Sequence, residues 1–140
     1  MNLTIFTDGG SRGNPGPAAY GFSIKDDLKE LAGVGKYIGI DTNNVAEYSA
    51  VVEALKWVKA NRELLGEISG INFFMDSELI SRQLNGQYKV KHPVMQSLFH
   101  TVQTLLSEIS LPTTFTHVRR ENNKRADALV NEALDKELYS

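Results

Sequence analysis

Four acids, Asp8, Glu47, Asp76 and Asp127, stand where the chain changes from one kind of pattern to another. Asp8 closes the apolar run LTIFTD (3–8), and Asp76 closes a second run, INFFMD (71–76); both runs read as strands by composition and length. Glu47 lies near the start of a helical pattern beginning at Thr42, on the border of its apolar face beside Val51, Ala54 and Val58. Asp127 lies in the first turn of the last helical pattern. Singly, each has an ordinary explanation, as a turn or cap residue after a strand or as a charge that suits a helix N-terminus. Together they predict four carboxylates converging at one end of a sheet. Like charges held together are unfavourable unless a cation neutralises them. With no cysteine and no paired histidines in the chain, the ligands are all oxygen. That donor set selects a hard ion, Mg²⁺ or Mn²⁺. All-carboxylate sites that leave positions open for phosphate oxygens serve two-metal hydrolysis.

The stretch TDGGSRGNPGPAAYG (7–21) follows the first acid with almost no side chains. It is neither a G-x-G-x-x-G fingerprint nor a P-loop. A loop of glycines beside a metal site is expected to let a nucleic-acid backbone come close. Asn14, Asn43 and Asn44 offer donors and acceptors for sugar hydroxyls and base edges, the partners that RNA recognition requires. The net charge of −2 gives no hint of a nucleic-acid partner, but QYKVKH (87–92) and RRENNKR (119–125) are locally basic.

These residues must be positioned by the remaining elements. Residues 18–26 and 29–39 read as two more strands around a polar turn at Asp26-Asp27, forming an antiparallel meander with the first. Gly33, Gly35 and Gly39 suggest bulges or a sheet edge. Val45, Tyr48, Val51, Val52, Leu55 and Val58 recur at helical spacing to about Asn61, with Asn43 or Asn44 as N-cap. Ser77 caps a short helix that stops at Asn85-Gly86. Residues 94–109 form a helix with Val94, Leu98, Val102, Leu105, Leu106 and Ile109 inward, after Pro93. TTFTHV (113–118) is a strand, and NKRADALVNEALDKEL (123–138) is the final helix, with Ala126, Leu129, Val130, Ala133 and Leu134 inward. The order β-β-β-α-β-α-α-β-α implies an α/β fold with one mixed sheet and helices on its faces, its site at the carboxyl ends of the parallel strands.

At these residues the sequence resembles the type 1 ribonucleases H over nearly its whole length. TDGGSRGNPGPAAYG, TNNVAEYSAVVEAL, FFMDSELI and ENNKRADALVNEAL are similar to the family's four signature blocks, in order. The resemblance implies a ribonuclease H-like fold with a five-stranded mixed sheet, and endonucleolytic cleavage of the RNA strand of an RNA/DNA hybrid with Mg²⁺ or Mn²⁺. By position, it implies that Asp8, Glu47, Asp76 and Asp127 bind two metal ions. It further implies that Asn14, Asn43 and Asn44 contact sugars and bases and that Thr42 helps hold a DNA phosphate. Gly9, Gly10, Ser11, Arg12 and Asn123 are expected beside them on the substrate path. The products carry 5′-phosphate and 3′-hydroxyl ends by the same analogy.

The sequence departs from the well-known bacterial pattern of that family in three places. NGQYKVKHPVMQ leaves no room for the basic, aromatic-rich insertion that grips the DNA strand, so Tyr88, Lys89 and Lys91 are expected to take over, with weaker and salt-sensitive binding. Glu78 replaces the usual glutamine two residues after the third carboxylate. The loop RRENNKRA before Asp127 lacks the usual histidine; His117 is read as structural. The shorter loop is similar to that of an archaeal-type branch in which an arginine stands at the equivalent place, here Arg120, seven residues before Asp127. His92 and His100 are assigned to surface or helix packing.

A chain of 140 residues, 41% apolar and 23% charged, is expected to form a single domain over 1–140. Without an export signal or an apolar run of membrane-spanning length, the expected location is the cytoplasm, with no membrane partner. Without an obvious dimer seam, a monomer with no obligate protein partner is expected. Two other readings stand beside the nuclease: a hybrid-binding module without turnover, and another nuclease of the same fold that also cuts double-stranded RNA.

Overall fold

Strand alternation decides what each face of the central sheet can meet. The computed structural model describes residues 1–139. It contains strands β1 (Asn2–Ser11), β2 (Gly16–Lys25), β3 (Glu30–Asp41), β4 (Gly70–Met75) and β5 (Thr113–His117). The helices are α1 (Asn43–Leu65), α2 (Glu78–Leu84), α3 (Pro93–Ile109) and α4 (Lys124–Tyr139). The five strands form one sheet in the order β3-β2-β1-β4-β5, antiparallel through β1, β2 and β3 and parallel through β1, β4 and β5. This is the architecture that the element order implied. Leu3 and Ile5 of β1 enter the main core with Tyr48, Val51 and Leu55 of α1. The opposite face of β1, β2 and β3 is covered by α4 through Val130 and Leu134. Among the described residues, no helix is long and apolar enough to cross a membrane.

The glycine-rich stretch corrects the expectation of a loop directly after Asp8. β1 continues to Ser11, because β2 pairs with it along Gly9↔Tyr20, Gly10↔Ala19 and Ser11↔Ala18. The parallel ladder with β4, however, stops at Thr7↔Met75. Asp8 is therefore inside a strand on one side and free of a partner strand on the other. Gly9 also has a different purpose from the one expected. A Cβ there would land in the backbone of Ala46 and Glu47, so its lack of a side chain brings α1, not a ligand, against the strand. Gly10 faces the opposite way, and a Cβ there would meet only Val130 and Asn43 at 3.9 and 4.0 Å. Gly21 and Gly35, paired across β2 and β3, give the same close approach to Leu129 of α4. β3 is the sheet edge that Gly33, Gly35 and Gly39 suggested, and Gly39, with φ of 89° beside the register shift at Ala18/Ala19, marks a bulge in it.

Helix ends follow their local chemistry with three differences from expectation. Thr42, not Asn43 or Asn44, caps α1: its hydroxyl accepts from the Val45 N–H at 3.2 Å. α1 runs on past Asn61 to Leu65, since Arg62, Glu63, Leu64 and Leu65 are good helix formers, and it stops at Gly66 with φ of 77°. In α3, Val94 is exposed and Met95 is buried instead; Met95, Leu98, Val102, Leu105 and Ile109 then share one face at spacings of three and four. Ser77 caps α2 as expected, accepting from the Ile80 N–H at 3.2 Å. Replacing Gly9 with alanine is expected to lower the unfolding free energy by at least about 1–3 kcal/mol, the range for forcing extra atoms into packed space. Gly10→Ala is expected to stay close to the parent in the same urea titration.

Candidate active site

The end of the β1/β4 ladder carries Asp8 and Asp76 past Thr7 and Met75 to adjacent positions. Glu47 reaches them from the second turn of α1, which Gly9 allows to pack directly on β1. One carboxylate oxygen from each of Asp8, Glu47 and Asp76 lies within 4.8 Å of the others. Asp8 and Glu47 are only 6% and 9% exposed. Asp127, in the first turn of α4, lines the same cavity of about 450 Å³ but stands outside the three-residue cluster. The expected convergence is thus three carboxylates in contact range with the fourth at the cavity wall. A larger depression of about 620 Å³ on the outer face of α3 has no buried acid and no link to this cluster.

Burial dominates the electrostatics. It pushes the Asp8 carboxyl up to about 8 from an ordinary 3.8, helped by the charges of Asp76 and Asp127, while the Gly9 N–H opposes the shift. Burial, then the charges of Asp8 and Asp76, raises Glu47 well above the usual carboxylate range. The cation near the cluster is Arg120, whose Nε lies 3.9 Å from Asp76 Oδ2 on a side chain 85% exposed to solvent. It is too wet and too distant to balance the buried acids. The residues fit a hard divalent ion: the donors are all carboxylate oxygens, and protein charge leaves them uncompensated. With all three donor oxygens within 4.8 Å of one another, Asp8, Glu47 and Asp76 would hold such an ion between them.

Gly9, Gly10, Ser11, Arg12, Asn43 and Arg120 line the cavity with the acids. Asn43 Oδ1 accepts from the Ser11 N–H at 2.8 Å and the Ser11 hydroxyl at 3.1 Å, and Asn14 Oδ1 accepts from the Asn43 N–H at 3.0 Å. With both oxygens engaged, Asn14 and Asn43 offer their Nδ2 donors. Thr42 and Asn44 are partly buried at the start of α1, outside the cavity lining. Asn123 corrects the expectation of a substrate contact. It is 1% exposed, and its Nδ2 donates to the Thr7 carbonyl at 2.9 Å, bracing the turn before α4 against β1. His117 ends β5 opposite Met75 with an exposed side chain outside the cavity lining. His92 and His100 are exposed at the start and on the outer side of α3.

α2 is followed by residues 85–92 and then α3, so no insertion is present between them. Tyr88, Lys89 and Lys91 are exposed on this connection, and the Arg82 guanidinium sits 5.4 Å from the centre of the Tyr88 ring. Glu78 accepts from Arg82 Nε at 2.9 Å on the helix surface. The sequence reading missed Ser77, Val130, Asn131 and Leu134 in the cavity wall. Asn131 and Leu134 were within reach of sequence reasoning, being four and seven residues beyond Asp127 on one helix face.

A pH dependence follows from Asp8. A carboxyl whose folded pKa lies near 8 and whose ordinary value is 3.8 holds its proton in the fold after it would lose it in the unfolded chain. Its stabilising contribution is complete below the ordinary value and is lost as pH rises through about 8. Without divalent ions, the melting temperature is expected to fall across that window, the free-energy change being on the order of a few kcal/mol. Asp8→Asn is expected to flatten the fall, and Mg²⁺ or Mn²⁺ to raise the melting temperature of the parent chain at pH 8 but much less that of the variant. Thermal melts in chelator and in metal check all three.

Comparison with known proteins agrees with this geometry. Residues 6–133 match the family described as reverse transcriptase-like. Ribonuclease HI of Halobacterium salinarum is 40% identical over 131 residues, 93% of this chain and 63% of its own length. The bifunctional protein Rv2228c of Mycobacterium tuberculosis is 39% identical over 137 residues, 96% of this chain but 36% of its own length. The chain thus spans about a third of the mycobacterial relative and under two thirds of the halobacterial one. Among solved structures, LC11-RNase H1 in complex with an RNA/DNA hybrid superposes with a TM-score of 0.90 at 44% identity, covering 97% of this chain and 99% of that one. RNase H1 from Halobacterium salinarum superposes with a TM-score of 0.86 at 38% identity, covering 97% and 99%. The acidic cluster lies inside residues 6–133, the signature blocks and the mixed five-stranded sheet lie there but for their outermost residues, and the chain belongs to the type 1 ribonuclease H family.

Proposed function

We propose that this chain is an endoribonuclease that hydrolyses the RNA strand of an RNA/DNA hybrid, with Asp8, Glu47, Asp76 and Asp127 holding two divalent ions, Mg²⁺ or Mn²⁺. The observation that carries the reading is the cluster of Asp8, Glu47 and Asp76, the first two buried, which among the described residues is paired only with the solvent-exposed Arg120. The solved relative bound to an RNA/DNA hybrid supports the choice of substrate. Such ions, when bound, supply an activated water and neutralise charge on the phosphate and leaving oxygen. Hydrolysis adds water oxygen to phosphorus and breaks the P–O3′ bond, and the 3′ oxygen leaves with a proton, giving 5′-phosphate and 3′-hydroxyl ends.

The chain's own residues orient the nucleic acid. Gly10 leaves open space beside the acids, where a sugar-phosphate backbone comes close without a Cβ in the way. The Nδ2 groups of Asn14 and Asn43 donate to sugar 2′ oxygens or base acceptors, and Asn44 joins them at the helix start. Thr42 spends its hydroxyl oxygen on the α1 cap and keeps one donor for a DNA phosphate. Arg120, exposed at the cavity mouth, attracts the phosphate and helps release the product; an arginine does not readily give up a proton, so we assign it no general-acid role. Tyr88 stacked on Arg82, with Lys89 and Lys91, replaces the missing basic insertion, and binding is therefore salt-sensitive. The same reading has the chain act as a monomer in the cytoplasm without an obligate protein partner.

Incubation of labelled hybrid, RNA duplex and DNA duplex with Mg²⁺ or Mn²⁺ is expected to show cleavage of the RNA in the hybrid. Asp76→Asn is expected to lower the rate by at least about 10³-fold while hybrid binding persists. Retained cutting by Asp76→Asn removes the nuclease assignment, and binding without any cutting by the parent chain favours the hybrid-binding module. Arg120→Ala is expected to slow turnover by about tenfold, whereas His117→Ala, outside the cavity, is expected to match the parent.

A further inference from the structure

Arg12 begins the turn after β1 and lines the carboxylate cavity. Its Nη2 lies 2.7 Å from Asp135 Oδ1 and donates to Asn131 Oδ1 at 3.4 Å. Its guanidinium carbon lies 5.9 Å from the centre of the Tyr139 ring. All three partners come from α4, from its middle to its last residue. Among the described residues, neither Nε nor Nη1 of Arg12 has an acceptor. The guanidinium is thus anchored through one nitrogen and open at the other two, which can still donate. Asn131 ties this anchor to the acids: its Nδ2 donates to the Asp127 carbonyl at 3.1 Å.

We propose that Arg12 grips a non-bridging phosphate oxygen of the RNA strand beside the scissile bond, and that Asp135, with Asn131 and Tyr139, is the positioning group that aims it. The inference rests on the hybrid-cleavage reading and adds a phosphate subsite to it. A guanidinium offers parallel donors that match phosphate oxygens, so its orientation matters as much as its charge. A free arginine on a turn loses its rotamer freedom when it binds; one already held by Asp135 has lost it beforehand. The exposed pair adds little to stability, but it fixes one cation at the cavity wall. Arg120 is a contrast, with an almost fully exposed side chain and a single 3.9 Å contact.

The test combines equilibrium binding of a fluorescent RNA/DNA hybrid with steady-state cleavage, using the full chain. Asp135→Asn is expected to weaken binding and raise KM by about three- to tenfold, with the larger change in KM and not in kcat. Asp135→Glu is expected to restore most of the loss. Arg12→Ala is expected to weaken binding further and to reduce the slope of log affinity against log salt by about 1. The double variant should be no worse than Arg12→Ala alone, because Asp135 acts only through Arg12. Additive losses, tighter binding by Asp135→Asn, or indifference of both constants to Asp135 would each overturn the proposal. Asp135 is exposed, and unchanged melting temperatures separate these outcomes from misfolding. Binding is read without cleavage. A chain that shows this binding pattern but never cuts loses the nuclease reading alone; one that cuts hybrids regardless of Asp135 loses this inference alone.

Discussion

The parallel register of β1 and β4 is the constraint on which the site depends. Because Thr7↔Met75 is the last pair, the next residue on each strand is an acid with no ladder partner between them. A shift of one residue would send one of the two carboxylates to the opposite face of the sheet. The register is fixed by what lies beneath it. Leu3 and Ile5 of β1 and Ile71 and Phe73 of β4 are buried in one core with α1. Gly9 then lets α1 approach until Glu47 joins the pair. Hydrophobic burial along the strands therefore drives an electrostatic arrangement that the acids themselves oppose.

That opposition is visible in the raised pKa values of Asp8 and Glu47, both caused first by burial and then by neighbouring carboxylates. Sites that break the usual rule against buried like charges are commonly functional, because the surrounding fold must supply the difference. Here it does so through close backbone packing: α1 lies on Gly9, and α4 lies on Gly21 and Gly35. Asn123, donating to the Thr7 carbonyl, pins the start of α4 beside the strand that carries Asp8. Side-chain hydrogen bonds among Ser11, Asn14 and Asn43 fasten the β1–β2 turn to the start of α1. The acids are thus held by elements that meet at one sheet end and are braced to one another around it.

Much of this was legible in the sequence. Apolar alternation and helical spacing located the five strands and the four α-helices, though not the short 3-10 turn at Arg120–Asn122, because those periods follow directly from which face must be buried. The acids at the ends of LTIFTD and INFFMD pointed to a hard cation because like charges held together call for one, and a chain without cysteine or paired histidines offers it only oxygen ligands. The errors fell where periodicity carries no information. Val94 was placed inward, where Met95 is the buried residue, because one residue of phase at a helix start is set by the preceding connection. Asn123 was read as a surface contact because its type suits both a substrate and a buried backbone carbonyl. Asp127 is not among these errors: it lines the same cavity as the other three carboxylates, at the wall and outside their 4.8 Å cluster, where the docking of α4 places it.

The order of elements, the all-oxygen donor set and the positions of the acids along the chain could be read from residue order alone, since these depend on local pattern and residue chemistry. Three-dimensional packing settled that Gly9 serves the approach of α1 while Gly10 stays open, and that Arg12 is held by Asp135 from the far end of the chain. Those outcomes depend on which backbone lies above a given residue and which way each side chain leaves the sheet. Both are settled by docking helices onto a closed register, and a one-dimensional pattern does not encode that docking residue by residue.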